Sequence, residues 1–298
     1  MTREQPPKQL VLHAGAHFTE TDRLLKSLLR NHNDLARMGV AVPGPGRYRR
    51  LLRDALNAMS QNAPAADARE ILLDAILDDD SAHRMVLSNP HFFGSAQIAL
   101  QSGVLYPKAA EKLRRFTHLF APDKIELFLA LRNPASFMPT VFQKMETGSV
   151  RALLGAADPL DIRWSDLILD LHEAAPHVTF RIWCNEDAPL IWANIIRSLA
   201  GIEDDRKIFG GFDLLGTIMS KEGMLRFRAY LKSHPVMSEA QKRRVITAFL
   251  DKFALDDAIE EELNMPGLND GLVSDMTEIY EADVAEIQTL PGVTLIQP

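Results

Sequence analysis

Short apolar runs alternate with helical stretches along most of the chain. Four runs are almost continuously apolar or β-branched and end in polar or small residues, as buried strands do. They span residues 9–14, 84–89, 125–132 and 178–184, and a last short run at 293–297 predicts a strand that returns to the sheet. Helical patterns separate these runs. The alternation predicts a three-layer α/β fold with a central, mostly parallel sheet covered by helices on both faces.

Helical periodicity is clearest directly after the first predicted strand. Leucines recur at helical spacing from Leu24 to Leu35, and Thr19 followed by Asp22 resembles a capping box at the start of this helix. Further helices are predicted at about 47–60, 65–77, 164–174 and 189–199 and over most of the chain from 221, where the acidic run 256–263 is interpreted as a solvated face. We interpret residues 1–298 as a single domain with helical additions at about 44–83 and 204–288.

The composition excludes several classes of protein. The 298 residues are 46% hydrophobic, which is ample for a sizeable core, and the single cysteine, Cys184, excludes a disulfide framework. No apolar run approaches the roughly 20 residues of a membrane span, and the polar N-terminus lacks the apolar centre of a signal peptide. We therefore expect a cytoplasmic protein that has no membrane partner.

The charge pattern argues against nucleic acid as a partner. The formal net charge is −7, which disfavours long-range attraction to nucleic acid but leaves room for a local basic pocket that holds a small anion. Basic clusters occur at 47–53, 112–115 and 242–244. All three lie in helical patterns and are interpreted as solvated helix faces.

The segment 11–25 combines a strand, a loop of small residues and the start of a helix. Such a junction directs backbone N–H groups and the positive end of the helix dipole to one place, which favours an anion there. Gly15 and Ala16 would let a phosphate approach the backbone, and Thr19 and Thr21 would add hydroxyl donors. The loop lacks the pattern G-x-x-x-x-G-K-[ST], which argues against an ordinary ATP or GTP site.

A second junction follows the third predicted strand. Arg132 ends this strand and is expected in the crevice at the carboxyl ends of the strands, where open α/β sheets bind ligands. The start of the next helix depends on Pro139. A cap at Ser136 would place this proline in the first turn, whereas a cap at Asn133 would place it in the helix interior. Thr140, one helical turn after Ser136, would point into the same crevice.

Together the two junctions resemble the bacterial sulfotransferase-like proteins of the P-loop class. In that family a loop similar to H-x-G-x-x-K-T-G-T-T holds the 5′-phosphosulfate of 3′-phosphoadenosine-5′-phosphosulfate (PAPS). A later strand ends in R-x-P, and its arginine and a serine eight residues further on hold the 3′-phosphate. The first pattern is matched by His13, Gly15, Thr19 and Thr21, and the second by Arg132 and Pro134, with Thr140 at the place of the serine.

The resemblance implies a P-loop-type fold with PAPS as the cofactor. The phosphosulfate would lie on a loop formed by Gly15, Ala16, His17, Thr19 and Thr21, and the 3′-phosphate would be held by Arg132 and Thr140. The acceptor would be a hydroxyl group of a carbohydrate or another small molecule, and His17 or His91 would act as the catalytic base.

Each histidine also has a structural interpretation. His17 would replace a missing cation when protonated, or it is a loop histidine that hydrogen-bonds the backbone. His91 either acts as the base or belongs to a turn anchored by the aromatic residues that follow it. His13 and His17 are four residues apart but straddle a strand–loop junction without an evident third ligand, so no metal site is predicted.

Three positions depart from the family pattern. Phe18 replaces the lysine, Glu20 the glycine and Asp22 the second threonine of the final pair. Sulfuryl transfer depends on stabilising charge at the transferred group, and losing one such donor costs about 3–4 kcal/mol of barrier, or about 10²–10³ in rate. Two hypotheses remain. The chain is a PAPS-dependent sulfotransferase with a degraded donor site, or it is a catalytically inactive sulfotransferase-like binding or scaffold protein.

Overall fold

The computed structural model describes residues 6–20, 22–78, 81–145, 149–202, 206–259 and 263–298. In these ranges the strands are β1 (Gln9–His13), β2 (Val40–Ala41), β3 (Arg84–Ser88), β4 (Leu100–Gln101), β5 (Val104–Leu105), β6 (Lys124–Leu131), β7 (Thr179–Cys184) and β8 (Val293–Leu295). The helices are α1 (Arg23–Arg30), α2 (His32–Arg37), α3 (Pro45–Ala58), α4 (Ala68–Ile76), α5 (Ala109–Leu119), α6 (Pro134–Lys144), α7 (Val150–Leu154), α8 (Trp164–Ala174), α9 (Ala188–Ala200), α10 (Leu215–Ile218), α11 (Lys221–Ser233), α12 (Glu239–Phe253), α13 (Asp256–Ile259) and α14 (Asp270–Ile287).

Six of the strands form one parallel sheet in the order β2-β3-β1-β6-β7-β8. The predicted fold class is therefore confirmed, and all five predicted strands belong to this sheet. The pattern did not indicate β2 or the separate antiparallel pair β4–β5. Each of these strands has only two residues, too few for a periodicity to show.

The sheet is covered on both faces because successive side chains of a strand point to opposite sides. Along β1, Leu10 and Leu12 pack with α3, α4, α5, α6, α8 and α14, whereas Val11 packs with α1, α2 and α9. A third, smaller cluster around Phe227 joins α10, α11 and α12. Within the described ranges, none of the helices combines the length and the apolar character needed to cross a membrane.

The start of α1 differs from the prediction. The N-cap is Asp22, whose side chain makes no capping hydrogen bond, and the predicted capping box of Thr19 and Asp22 is therefore wrong. The Thr19 hydroxyl donates instead to the carbonyl of Ala16, at 2.8 Å. In the first turn of α1, the Glu20 carboxylate accepts the amide of Leu24 at 2.6 Å, and the Glu20 carbonyl accepts that of Arg23.

Of the two caps considered for α6, the structure has the earlier one. The Asn133 side chain accepts the Ala135 amide at 2.9 Å, so Pro139 lies inside the helix rather than in its first turn. Asn133 is also held by tertiary contacts, since its own amide donates to Glu186 and its side chain donates to Thr277. These contacts come from distant parts of the chain and outweigh the local preference of the proline.

Candidate functional site

The predicted crevice lies between the carboxyl ends of β1 and β6. From β1 the chain moves toward the β2 edge of the sheet, and from β6 it moves toward the β8 edge. Ligands of open α/β sheets bind at such a switch point. The two predicted junctions meet here, because the Nη1 of Arg132 donates to the carbonyl oxygen of Phe18 at 2.8 Å.

The backbone of the first loop is largely committed to the protein itself. The amide of Ala16 donates to the carbonyl of Ala130 at 3.2 Å, and the amide of Ala130 donates to the carbonyl of Gly15 at 2.7 Å. These bonds continue the pairing of β1 with β6 into the loop. The next amide, that of His17, donates to the Tyr106 hydroxyl at 2.9 Å. The amides of Ala16 and His17 are thus directed at protein acceptors and not at a shared anion site.

The space above Gly15 is also occupied. This residue has a φ of +103°, in the region that favours glycine, and a Cβ built on it would lie 3.1 Å from the carbonyl oxygen of Pro90. The predicted reason for a glycine was the close approach of a phosphate. In the structure the atom that approaches is the carbonyl of Pro90, and Ala16 beside it is buried.

Phe18, at the position of the family lysine, is part of the packing. Its ring lies 6.2 Å from that of Phe137, centroid to centroid, and packs against the larger core cluster. Its carbonyl is the acceptor for Arg132 described above. An apolar side chain at this position therefore anchors the loop to α6, and it offers no charge to a bound group.

The Glu20 carboxylate occupies the start of α1. The residue is only 3% exposed, and its Oε2 accepts the Leu24 amide, the kind of N–H group that an anion at a helix N-terminus would accept. Burial raises the pKa of Glu20 to about 7, despite the opposing effects of the Leu24 amide and of Arg23 and Arg49. The helix start is thus filled by a group of the chain itself.

His13 lies beneath this carboxylate and is fully buried. Its Nδ1 is 2.9 Å from the Ser88 hydroxyl and 3.9 Å from the Oε1 of Glu20. Burial lowers the pKa of His13 to about 4, so the imidazole is neutral near pH 7 and its contact with Glu20 is not an ion pair there. Among the described residues, no group of three or more potential ligands is placed to hold a metal ion.

The two predicted bases, His17 and His91, form a hydrogen-bonded pair. The Nε2 of His17 lies 2.8 Å from the Nδ1 of His91, and the Nδ1 of His17 lies 2.9 Å from the Tyr106 hydroxyl. His17 is buried whereas His91 is exposed. Burial, followed by the neighbouring His91, lowers the pKa of His17 to about 4. A neutral His17 does not replace the missing cation at neutral pH.

The second phosphate site predicted from the sequence is also internally bonded. Arg132 is 8% exposed, and its Nε donates to the Ser136 hydroxyl at 3.1 Å. The Thr140 hydroxyl donates to the Ser136 carbonyl at 2.9 Å, within α6. A hydroxyl has one proton to donate, so Thr140, like Thr19, uses its donor on the backbone. Thr21, the remaining predicted donor, lies outside the described residues.

A cavity of about 610 Å³ adjoins the loop on the side of α1 and α6. We call it the donor-side cavity; the polar residues lining it include Thr19, Arg23, Asn133, Ser136, Glu186 and Thr277. Its volume falls in the range of small-molecule sites. Arg132 and Thr140 are not among its lining residues. Arg23 is the cationic side chain that lines it, and the carboxylate of Glu186 lines it too.

Arg49 is a residue of this region that the sequence pattern did not single out. Its guanidinium forms two hydrogen bonds with the Asp22 carboxylate, at 2.5 and 3.1 Å, and donates to the carbonyl of Ser88. The hydrogen bond from Arg49 is the main reason that the pKa of Asp22 lies below its ordinary value. The sequence signal was the basic cluster at 47–53, which was interpreted as a solvated face. Arg49 is in fact half-buried.

A second cavity, of about 720 Å³, lies on the other side of the loop, between α3, α5 and the segment after β3. We call it the basic groove; its lining includes Arg49, Arg50, Arg53, His91 and Lys112. His91 links it to the loop through its hydrogen bond with His17.

Comparisons with known proteins identify no family for this chain. No protein-family model and no curated protein matches the chain. Among solved structures, a similarity is found to the crystal structure of retinol dehydratase in a complex with retinol and PAP, with 10% sequence identity and a TM-score of 0.28. It covers 95% of this chain and 82% of that one. A likeness of this degree carries no conclusion about ligand or activity.

Proposed function

We propose that this chain is a sulfotransferase-like binding protein that does not transfer a sulfuryl group. The observation that carries the proposal is the Glu20 carboxylate, which lies at the start of α1 where the resemblance would place the phosphosulfate. Pro90 above Gly15 and the bonded amides of Ala16 and His17 support it.

The residues around the loop do not fit the phosphosulfate end of PAPS. Group transfer of this kind needs positive charge at the transferred group, and Phe18 supplies none. Glu20 adds repulsion when it is ionised, since two unit charges 4 Å apart interact by about 4 kcal/mol at an effective dielectric near 20. Arg132 already donates to the Phe18 carbonyl and the Ser136 hydroxyl.

A second candidate is the PAPS-dependent sulfotransferase, acting on a hydroxyl of a carbohydrate or small molecule. Two observations favour it. The donor-side cavity has the volume of a nucleotide site and is lined by Thr19, Arg23 and Ser136. The exposed His91, bonded to His17, lies at the edge of the basic groove, where a base would meet an acceptor.

The two candidates are separated by calorimetric titration with 3′,5′-ADP. We expect the wild-type chain to show no binding at about 1 mM nucleotide, a level that corresponds to about 4 kcal/mol. The variant Glu20→Gln keeps an oxygen for the Leu24 amide but removes the charge. It should show binding of the nucleotide below about 1 mM, where the wild type shows none, because less repulsion remains.

Arg132→Ala is the control for the predicted 3′-phosphate contact. Wild-type binding tighter than about 100 μM, or about 5.5 kcal/mol, that is lost in Arg132→Ala would favour the active sulfotransferase instead. Release of 3′,5′-ADP from PAPS by the wild-type chain would overturn the proposal outright.

A further inference from the structure

The basic groove is a strongly positive site in an acidic chain. Among the described residues, the cationic side chains of Arg49, Arg50, Arg53 and Lys112 line it and no carboxylate does. The chain as a whole has a formal net charge of −7. Clustering of like charges on two facing helices is unfavourable by itself and is relieved by an anion between them.

The charge of the groove is only partly neutralised by the protein. Arg49 is paired with Asp22, and Arg53 contacts its neighbour Asp54 at 3.2 Å, where both side chains are more than half exposed. Such an exposed pair is worth little and is easily exchanged for another anion. Arg50 forms no ion pair with any residue in the described part of the chain.

Lys112 adds a cation from the helix that faces α3. It lies on α5, opposite α3, and its Nζ donates to the carbonyl of Phe92 at 3.2 Å. Its side chain is half-buried, and its pKa is lowered by this burial and then by the nearby Lys108 and Arg115, against the weaker opposing effect of Glu111. An anion bound beside Lys112 would offset both effects.

Part of the remaining lining is apolar, beside the polar residues Asn57, Asn89, His91 and Ser95. Leu52, Leu56 and Phe92 are buried and form part of it, and Ile98 and Gly94 border them. A site for an inorganic anion alone has no need of such a surface. The combination of cationic and apolar lining is complementary to a molecule with an anionic group and an apolar body.

We propose that the basic groove binds an anionic amphiphile, a small molecule that carries a phosphate, sulfate or carboxylate group on an apolar body. The anionic group would lie between Arg50 and Arg53 of α3 and Lys112 of α5, and the apolar body would pack on Ile98 and the small exposed part of Phe92. This ligand class makes the proposed binding function more specific. It rests on that function in one respect, which is that the ligand is bound and not chemically modified.

Octyl sulfate, used well below its micellar concentration, is the probe, with inorganic sulfate and octyl glucoside as partial analogues. In calorimetric titrations of the full chain we expect octyl sulfate to bind at least about tenfold more tightly than inorganic sulfate, and octyl glucoside to show no binding. Binding of octyl sulfate should weaken when salt is raised from about 0.05 to 0.5 M, because the contacts are partly exposed.

The decisive variant is the double substitution Arg50→Gln with Arg53→Gln. It should weaken the binding of octyl sulfate at least about tenfold. Its matched control is Arg228→Gln with Lys232→Gln. That pair removes the same charge from exposed positions of α11 that line none of the cavities described above. The control should bind octyl sulfate as the wild type does.

Three results would overturn the inference. Equal weakening in both double variants would mean unspecific attraction to positive charge. Inorganic sulfate binding as tightly as octyl sulfate would mean a simple anion site, and octyl glucoside binding as tightly would mean an apolar pocket. None of these titrations uses a nucleotide. The proposal that the chain transfers no sulfuryl group is therefore tested separately, by the titration with 3′,5′-ADP.

Discussion

Replacing Asp283 by alanine is expected to lower the free energy of unfolding by about 2–4 kcal/mol. Asp283 lies on α14 and is 3% exposed, and its carboxylate accepts the amides of Trp164 at 2.7 Å and Ser165 at 3.3 Å. These amides begin α8. Without the carboxylate both donors would be left buried and unpaired, at a cost of about 1–3 kcal/mol each.

The effect should reach the candidate site through Trp164. This side chain is fully buried, and its indole N–H donates to the carbonyl of Arg132 at 2.9 Å. Asp283 therefore holds the start of α8, and α8 holds the residue that follows β6. We expect Asp283→Ala to weaken any ligand contact of this crevice as well as the fold.

Urea unfolding monitored by circular dichroism tests this expectation. The matched control is Asp275→Ala, on the same helix but exposed, which should change the free energy of unfolding by less than about 0.5 kcal/mol. The slope of the transition should stay the same in both variants, so that the shift of the midpoint measures stability. Equal midpoints for the two variants would show that the carboxylate of Asp283 is not needed to cap α8.

The elements of the fold were largely predictable because they depend on local patterns. The third predicted strand became β6, and the helix predicted at 164–174 is α8, with the bounds Trp164–Ala174. A buried strand must be apolar and an amphipathic helix must repeat its apolar positions, so both leave a trace in a short window. The same logic placed Arg132 at the end of a central strand, and in the structure it directly follows β6.

The site was less predictable because its decisive contacts join distant segments. The cap of α8 comes from Asp283, 119 residues after Trp164, and the filling of the space above Gly15 comes from Pro90. No local pattern indicates either contact. Arg49 looked like one of several solvated arginines, since only its partner Asp22, 27 residues earlier, makes it different.

The sequence identifies Glu20 as a departure from the family pattern, but it does not show in which direction the side chain points. An acidic residue just before a helix either faces solvent or turns inward to the helix start. The structure has the inward arrangement, with the Oε2 of Glu20 on the amide of Leu24. That arrangement has a thermodynamic consequence that can be measured.

We expect the stability difference between Glu20→Gln and the wild type to change with pH by about 3 kcal/mol. Burial raises the pKa of Glu20 from 4.5 to about 7, and one pKa unit corresponds to about 1.4 kcal/mol. Because the folded state holds this proton more tightly than the unfolded state, the stabilisation it gives is complete below about pH 4.5. It is lost as the pH rises through about 7. Glutamine carries no such proton. The free energy of unfolding of the variant should therefore rise relative to that of the wild type between pH 5 and pH 8.

His13 has the opposite effect and must be separated from that of Glu20. Burial lowers its pKa from 6.5 to about 4, so the unfolded state binds the proton more tightly and stability rises with pH between about 4 and 6.5. His17, whose pKa is also lowered to about 4, contributes in the same direction as His13. In the wild type the slopes from these histidines oppose that from Glu20 below pH 6.5, and above it the slope from Glu20 remains. Subtracting the stability of the wild type from that of Glu20→Gln at each pH removes the contribution of His13, as long as the substitution leaves the pKa of His13 unchanged.

Urea unfolding at pH 5, 6, 7 and 8 gives the difference, with Glu173→Gln as the control for an exposed glutamate. The control should give a difference that does not vary with pH. For Glu20→Gln the rise should be steepest at about pH 6, between the ordinary pKa of 4.5 and the folded-state pKa of about 7, and it should level off above pH 7. Its position as well as its size then identifies the titrating group. A flat difference for Glu20→Gln would mean that the folded chain stabilises the ionised carboxylate as well as water does. The start of α1 would then be a good anion site in its own right. A phosphosulfate would compete with Glu20 for this site and would not be excluded from it.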